Sequence, residues 1–335
     1  MQAARTAPTY EALAHDIKAI GTEVVFGLMS DDTALLVATL DAKGVIFHGA
    51  RHENNAISMA EGYAAATGRL AIAILGRGPA AANSLHGAVY AQRSGSRVLL
   101  IYGDTAVASG APASLGPDTK ALNTVGVLNA AGIRTFVATD PGSARGILAQ
   151  AIAAAQHGAV ALLLPMNVQF APIEFDASAP LPTVAVPAPA RPAGKPARAA
   201  AVSAAAAVLK ASRRPLFVAG LGAHYADARE AIIRLADKVG AGLATTLKAK
   251  DMFRGHPFDA GILGSFSHAG GRRLIEQADS VVVFGAGLNQ RTTSYGLSLP
   301  ADVPLVQIDS VRNNIGRWYH ADVPWSPMHG SPPNN

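Results

Sequence analysis

Short apolar runs alternate with longer, alanine-rich stretches along most of the chain. Between residues 10 and 165 the apolar runs are EVVFG at 23–27, GVIFH at 44–48, LAIAIL at 70–75, RVLLIYG at 97–103, IRTFVA at 133–138 and AVALLLP at 159–165. These runs are continuous rather than strictly alternating, as in strands buried on both faces, and helical stretches separate them. The pattern predicts a parallel sheet covered by helices on both sides. Between Pro180 and Pro196, six prolines in 17 residues forbid a helix and favour an extended path. The alternation then resumes, with helices over ARAAAVSAAAAVLKAS, DAREAIIRLADKVG and GGRRLIEQA and strands over PLFVAG, GLATTL, DSVVVFGAG and VPLVQID. The fold class expected is α/β, with two doubly wound, mainly parallel-sheet domains joined by a Pro-rich linker. The boundaries read as 1–178 for the first domain, 179–196 for the linker, 197–322 for the second domain and 323–335 for a tail, whose closing SPMHGSPPNN has no periodicity.

Composition narrows the function classes. At 335 residues the chain exceeds one ordinary domain of roughly 150. Half of it is hydrophobic and 15% is charged, which supplies large cores and argues against global disorder. The net charge of +5 is scattered, without a run of five like charges, so nucleic acid is not an expected partner. No cysteine is present, which excludes disulfides and thiolate metal sites and suits a reducing cytoplasm. The first 21 residues lack the apolar core of a signal peptide, and no segment approaches 18 uninterrupted apolar residues, so a cytoplasmic protein without a membrane span is expected.

Local motifs leave several readings open. LGRGPAAANS at 75–84 follows a strand and opens a helix, and Gly76, Gly78 and Ala81 satisfy the G-x-G-x-x-G/A spacing, with Asp104 ending the next strand. An NAD-binding oxidoreductase would use those four residues, but any tight strand-to-helix turn also favours glycine. AGLGAHYADA at 219–228 is a second such turn, with Gly220 and Gly222 placed to meet a nucleotide phosphate and the bulky Tyr225 at the third position. His48, His52 and Glu53 do not form a helical i, i+4 metal pair, because His48 ends a strand and His52 begins a helix, so no metal ligands are assigned. Neither a G-x-S-x-G elbow nor a Walker A sequence occurs. Glu53 itself starts an alanine-rich helix, where the helix dipole alone stabilises an acid by about 0.3–1 kcal/mol.

The order of the pieces carries a more specific signal. VVFGLMSDD, then RHENNAISMAEGYAAATGRLAIAILGRGPAAANS, then the proline-rich stretch and VVVFGAGLNQRTTSYG resemble thiamine-diphosphate-dependent enzymes of the acetolactate synthase and pyruvate decarboxylase type over residues 9–320. The resemblance implies a pyrimidine-binding first domain and a family central domain. It places Glu53 on the cofactor-activating glutamate, whose hydrogen bond to N1′ of the aminopyrimidine makes the exocyclic nitrogen basic enough to deprotonate the thiazolium C2. Gly78, Pro79 and Asn83 fall on the turn that borders the pyrimidine. The implied activity is decarboxylation or carboligation of a small-molecule 2-oxo acid.

The sequence also departs from the family pattern. The FGxPG loop beside the substrate is here Phe26-Gly27-Leu28-Met29-Ser30, and Ala80 and Ala82 replace a glycine and a threonine in the pyrimidine turn. Regions that face FAD in acetolactate synthases correspond to GILGSFSHAG and GAGLNQRTTSYG. There Phe266 and Ser267 replace the usual His-Gly pair and Arg291 is the residue to watch, and FAD, ADP or nothing fills that space across the family. The G-D-G…N-N motif that holds Mg2+ and the diphosphate does not occur, so the Mg2+ is expected through a further domain. The resemblance therefore implies a homo-oligomer or a partner chain carrying that domain. A non-catalytic remnant or regulatory subunit of such an enzyme is the alternative.

Overall fold

The computed structural model describes residues 5–105, 120–177 and 199–326. The linker read at 179–196 lies outside them, as does most of the tail. Contacts divide the chain into two compact units, Met1–Pro189 and Ala190–Asn335.

The first unit runs β1 (Arg5–Pro8), α1 (Thr9–Ala19), β2 (Val24–Gly27), α2 (Ala34–Ala42), β3 (Ile46–Gly49), α3 (Glu53–Thr67), β4 (Ala71–Leu75) and α4 (Pro79–Ser94). It continues with β5 (Val98–Asp104), α5 (Thr124–Ala130), β6 (Arg134–Val137), α6 (Ala144–Ala155), β7 (Val160–Pro165), α7 (Met166–Phe170) and β8 (Pro172–Phe175). Six strands form a wholly parallel sheet in the order β3-β2-β4-β5-β7-β6. Alternate residues of each strand enter opposite cores. Ile72, Ile74, Leu99 and Ile101 pack with α1, α2 and α6, whereas Ala71, Ala73, Val98 and Leu100 pack with α3 and α4.

The two faces differ in side-chain size, and the difference positions the site. The α3–α4 side is built from small residues: Ala56, Ala60 and Ala64 on one helix and Ala81, Ala88 and Ala91 on the other are all buried. At Gly87 the two helices are in close contact. A methyl group there would lie 2.9 Å from Asn54 Oδ1 and 3.1 Å from Ile57 Cβ. The opposite side is tied by a charged pair: Arg145 on α6 donates from Nε and Nη2 to the buried Asp16 carboxylate on α1, each at 2.8 Å.

The second unit runs α8 (Ala199–Ala211), β9 (Pro215–Ala219), α9 (Leu221–Tyr225), α10 (Arg229–Val239), β10 (Gly242–Thr245) and β11 (Asp259–Ile262). It ends with α11 (Ala269–Glu276), β12 (Ser280–Phe284), β13 (Leu305–Ile308) and β14 (Val323–Trp325). Its sheet is also parallel, in the order β11-β10-β9-β12-β13-β14. Leu216, Val218, Val281 and Val283 face one core, and Phe217, Leu243, Val282 and Val306 the other. Both units are thus doubly wound α/β folds with mainly parallel sheets.

Three features differ from the sequence reading. Strands β1 and β8 pair antiparallel at the margins of the first unit, Arg5 opposite Phe175, and are too short to show a period. Strand β11 is Gly-interrupted and carries no apolar run. The segment assigned to the tail from residue 323 begins with β14, which extends the second sheet at its edge, where Pro324 is tolerated.

Gly87→Val is expected to lower stability by roughly 1–3 kcal/mol, because the added branches meet Asn54 and Ile57 across the helix pair. Urea unfolding followed by far-ultraviolet circular dichroism should show a lower midpoint; an unchanged midpoint would contradict the close packing of α3 on α4.

Candidate functional site

In parallel sheets the carboxyl ends of strands and the amino ends of the following helices share one edge, and ligands collect where strand order reverses. In the first sheet that reversal lies between β2 and β4. The loop after β2 and the turn after β4 therefore flank it, and they touch: a methyl group on Gly76 would lie 2.7 Å from Ser30 Cβ.

The turn after β4 is shaped by Gly78, whose φ of 60° and ψ of −109° are strained for any residue with a Cβ. Its bare face is covered by the Lys120 carbonyl oxygen, against which a side chain would collide. Pro79 occupies the first helical position of α4, where its missing N–H costs nothing. One turn later, Asn83 Nδ2 donates to Glu53 Oε2 at 3.2 Å. Glu53 is half-buried as the first residue of α3, and among the described residues no group bonds its Oε1. Below this pair, Ser84 on α4 donates to the Ala81 carbonyl at 2.8 Å and meets the buried Tyr102 hydroxyl of β5 at 2.7 Å. Burial pushes the Tyr102 phenol well above its ordinary range, so it stays a neutral anchor for α4.

Leu28 and Met29 sit in the loop after β2, Leu28 half-buried and Met29 exposed. The same loop holds residues that the sequence reading passed over. Asp31 Oδ1 accepts from Lys120 Nζ at 2.6 Å and from Ser30 Oγ at 2.9 Å, and these bonds, Lys120 first, hold its carboxyl down to about 2. Asp32 is buried, and neither carboxylate oxygen has a hydrogen-bond partner. Its main-chain carbonyl accepts from the buried Gln169 Nε2 at 2.9 Å, and Gly103 leaves room for its side chain. Adjacent acids in SDD were the available signal, but Lys120 is 89 residues away in sequence. Asp104 ends β5, and burial raises its carboxyl above the ordinary range.

Glu53, Asn83, Gly78 and Pro79 thus gather at the heads of two touching helices, beside the loop bearing Leu28 and Met29. Of the four residues of the NAD reading, Gly76 and Gly78 are packed on Ser30 and on the Lys120 carbonyl. The two histidines have other occupations: His48 stacks on Phe26 at 5.5 Å, and His52 caps α3. Among the described residues no group of three or more His, Cys, Asp or Glu could hold a metal ion.

In the second unit, Gly220 and Gly222 lie at the corresponding strand reversal, between β9 and β12. Their backbone donors are committed: Gly220 N–H to the Phe284 carbonyl at 2.9 Å and Gly222 N–H to the Gly285 carbonyl at 3.0 Å. The helix that follows has five residues. These two bonds tie the turn after β9 to the end of β12. Arg291 is exposed in the loop after β12, its N–H bonded to Asn289 Oδ1 and its carbonyl accepting from Ser265 Oγ. That bond joins the GILGSFSHAG and GAGLNQRTTSYG stretches.

Residues 8–122 match the model of the thiamine pyrophosphate enzyme N-terminal TPP-binding domain, and residues 202–327 match that of the thiamine pyrophosphate enzyme central domain. The chain is 25% identical over 320 residues to a probable acetolactate synthase large subunit of Methanocaldococcus jannaschii, covering 94% of this chain and 53% of that protein. It is 26% identical to a sulfoacetaldehyde acetyltransferase of Alcaligenes xylosoxydans, covering 91% and 50%. It is 30% identical over 333 residues to a probable 2-ketoarginine decarboxylase of Pseudomonas aeruginosa, covering 96% and 56%. The chain spans about half the length of the curated relatives it matches. No helix among the described residues is long and apolar enough to cross a membrane.

Lys120→Met should move the Asp31 titration from about 2 back toward the ordinary carboxylate range, as read by carbon-13 NMR of its side chain. Because the folded value is depressed, the pair's contribution is present above the unfolded value and is lost as pH falls toward about 2. Asp31 is mostly exposed, so this contribution should stay within about 1 kcal/mol. A titration unaffected by the substitution would exclude the Lys120 bond as the cause.

Proposed function

The chain belongs to the thiamine pyrophosphate enzyme family, through its N-terminal TPP-binding and central domains, and we propose that it serves a thiamine-diphosphate-dependent 2-oxo acid decarboxylase or carboligase of acetolactate synthase type. The observation that carries this reading is Glu53. One carboxyl oxygen is fixed by Asn83 and the other has no partner among the described residues, at the edge of the sheet where strand order reverses.

The residues present suit the pyrimidine half of that cofactor. Gly78 gives the turn after β4 a shape closed to other residues, and Glu53 Oε1 can hold a proton against a ring nitrogen while Asn83 keeps Oε2 in place. When bound, the cofactor supplies the electron sink for decarboxylation. The protein's share is orientation and proton control at Glu53. The loop of Leu28 and Met29 borders the same edge and is the proposed substrate wall. Mg2+ and the diphosphate require donors from a further domain, on a separate chain or elsewhere in a longer one, and association into at least a dimer is part of the proposal. A cytoplasmic location goes with it, on the absence of cysteine. The alternative of a regulatory or non-catalytic member keeps the fold and the interface but does not need the fixed Glu53–Asn83 pair.

Calorimetric titration with thiamine diphosphate and Mg2+, alone and with a diphosphate-domain chain from a relative, tests the reading. Heat is expected with thiamine diphosphate in the presence of that chain, and Glu53→Gln should weaken it about 10- to 100-fold, as for a lost charge-assisted hydrogen bond. Heat with NAD alone would overturn it. Light scattering should show a dimer or larger, and a strictly monomeric species counts against the proposed association.

A further inference from the structure

We infer that His52 is the positioning residue of Glu53, and that it works only as a neutral imidazole in the Nε2–H tautomer. His52 is the N-cap of α3, with extended backbone (φ −159°, ψ 140°), and its Nδ1 accepts the Asn54 N–H at 3.1 Å. Its carbonyl accepts the next two donors, Asn55 N–H at 3.0 Å and Ala56 N–H at 3.2 Å. Three successive amides of the first turn are therefore held by one residue. Glu53 lies between that residue and the first amide it holds, so the cap fixes where the Glu53 side chain leaves the helix and with it the bond to Asn83.

Ser, Thr, Asp and Asn are the usual caps, and each accepts through oxygen at any ordinary pH. An imidazole accepts only through an unprotonated nitrogen; protonation makes both nitrogens donors. Below the pH at which His52 charges, Nδ1 would point a proton at the Asn54 N–H, and a positive charge would face the positive end of the helix dipole. Histidine is the side chain for which this change falls within ordinary pH. The first turn of α3, and the placement of Glu53, should therefore loosen as pH falls.

Few other ionisable groups bear on this end of α3. Strands β2 and β4, which pack beneath it, carry none; α4 brings His86, Tyr90 and Arg93; β5 brings Tyr102 and Asp104. Arg51 and Glu53 flank His52 in sequence, and His48 lies on β3, stacked on Phe26. The device recurs in the second unit, where His268 caps α11 and its Nδ1 accepts the Gly271 N–H at 3.0 Å. Among the described residues, a histidine cap accepting through Nδ1 is thus used twice. At α3, however, it sits beside the proposed cofactor acid.

The importance of the inference rests on the proposed role of Glu53, but its test needs no cofactor, so the two can fail separately. The readouts are three NMR signals of the full chain: the His52 ring nitrogens, the Asn54 amide and the Asn83 side-chain amide. In the wild type, His52 should be the Nε2–H tautomer at about pH 8. Asn54 protection, corrected for intrinsic exchange, should fall about fivefold on acidification through the His52 titration, as for loss of one cap. The Asn83 side-chain signal should shift over the same range. His52→Asn, which caps without titrating, should keep protection and the Asn83 signal at both pH values, and His52→Leu should lose both at either. An Nδ1–H tautomer, pH-independent protection in the wild type, or an unmoved Asn83 signal in His52→Leu would overturn the inference.

Discussion

The close contact between α3 and α4 is the constraint on which the first unit's site depends. A right-handed β-α-β connection brings both helices onto one sheet face with their amino ends at the same edge. That alone leaves their first turns a helix-packing distance apart, about 8–10 Å. Alanines along both helices and the bare Gly87 allow a closer approach, and the alanine-rich strand face beneath, Ala71 and Ala73, lets the pair settle onto the sheet. Only then can Glu53 and Asn83, 30 residues apart, share a hydrogen bond. The bulky aliphatic core on the other face has no such role; there α1 and α6 are held by a buried ion pair instead.

Much of this was legible in the sequence. Continuous apolar runs separated by alanine-rich stretches specify buried parallel strands, because a half-exposed strand would alternate, and both sheets follow that logic. The start of α3 at Glu53 was equally plain, since RHENN breaks the preceding strand and the small residues recur at helical spacing. What the sequence concealed depends on pairings without local period. The four residues of β1 and the three of β14 become strands only through partners elsewhere in the chain. Asp31 looks like an ordinary loop acid until the fold brings Lys120 to it, and Asp32, its neighbour, turns the other way into the interior.

The loop after β2 shows how one dipeptide can do two jobs. Asp31 points outward and is neutralised by a cation; Asp32 points inward, its side chain accommodated by Gly103 and its carbonyl fixed by Gln169. A buried carboxyl with no hydrogen-bond partner is costly. The fold bears that cost where the loop carrying Leu28 and Met29 must stand close to the turn of Gly78. Loop position, and not loop charge, is what the two aspartates hold in common.

The two glycine turns make the same point about how motifs should be weighed. By spacing alone, Gly76-Arg77-Gly78 and Gly220-Leu221-Gly222 are equivalent signals for a bound phosphate. Their hydrogen-bond accounting separates them. Gly220 and Gly222 spend their N–H groups on the Phe284 and Gly285 carbonyls, because β12 ends against this turn at the strand reversal. Gly78 works through shape: its φ of 60° turns the chain so that Pro79 can start α4 and Asn83 can arrive over Glu53. A glycine pattern marks a ligand site only when its donors remain unspent. The proposed site chemistry gathers at the head of α3, where Asn83 holds one carboxyl oxygen of Glu53 and no described residue bonds the other.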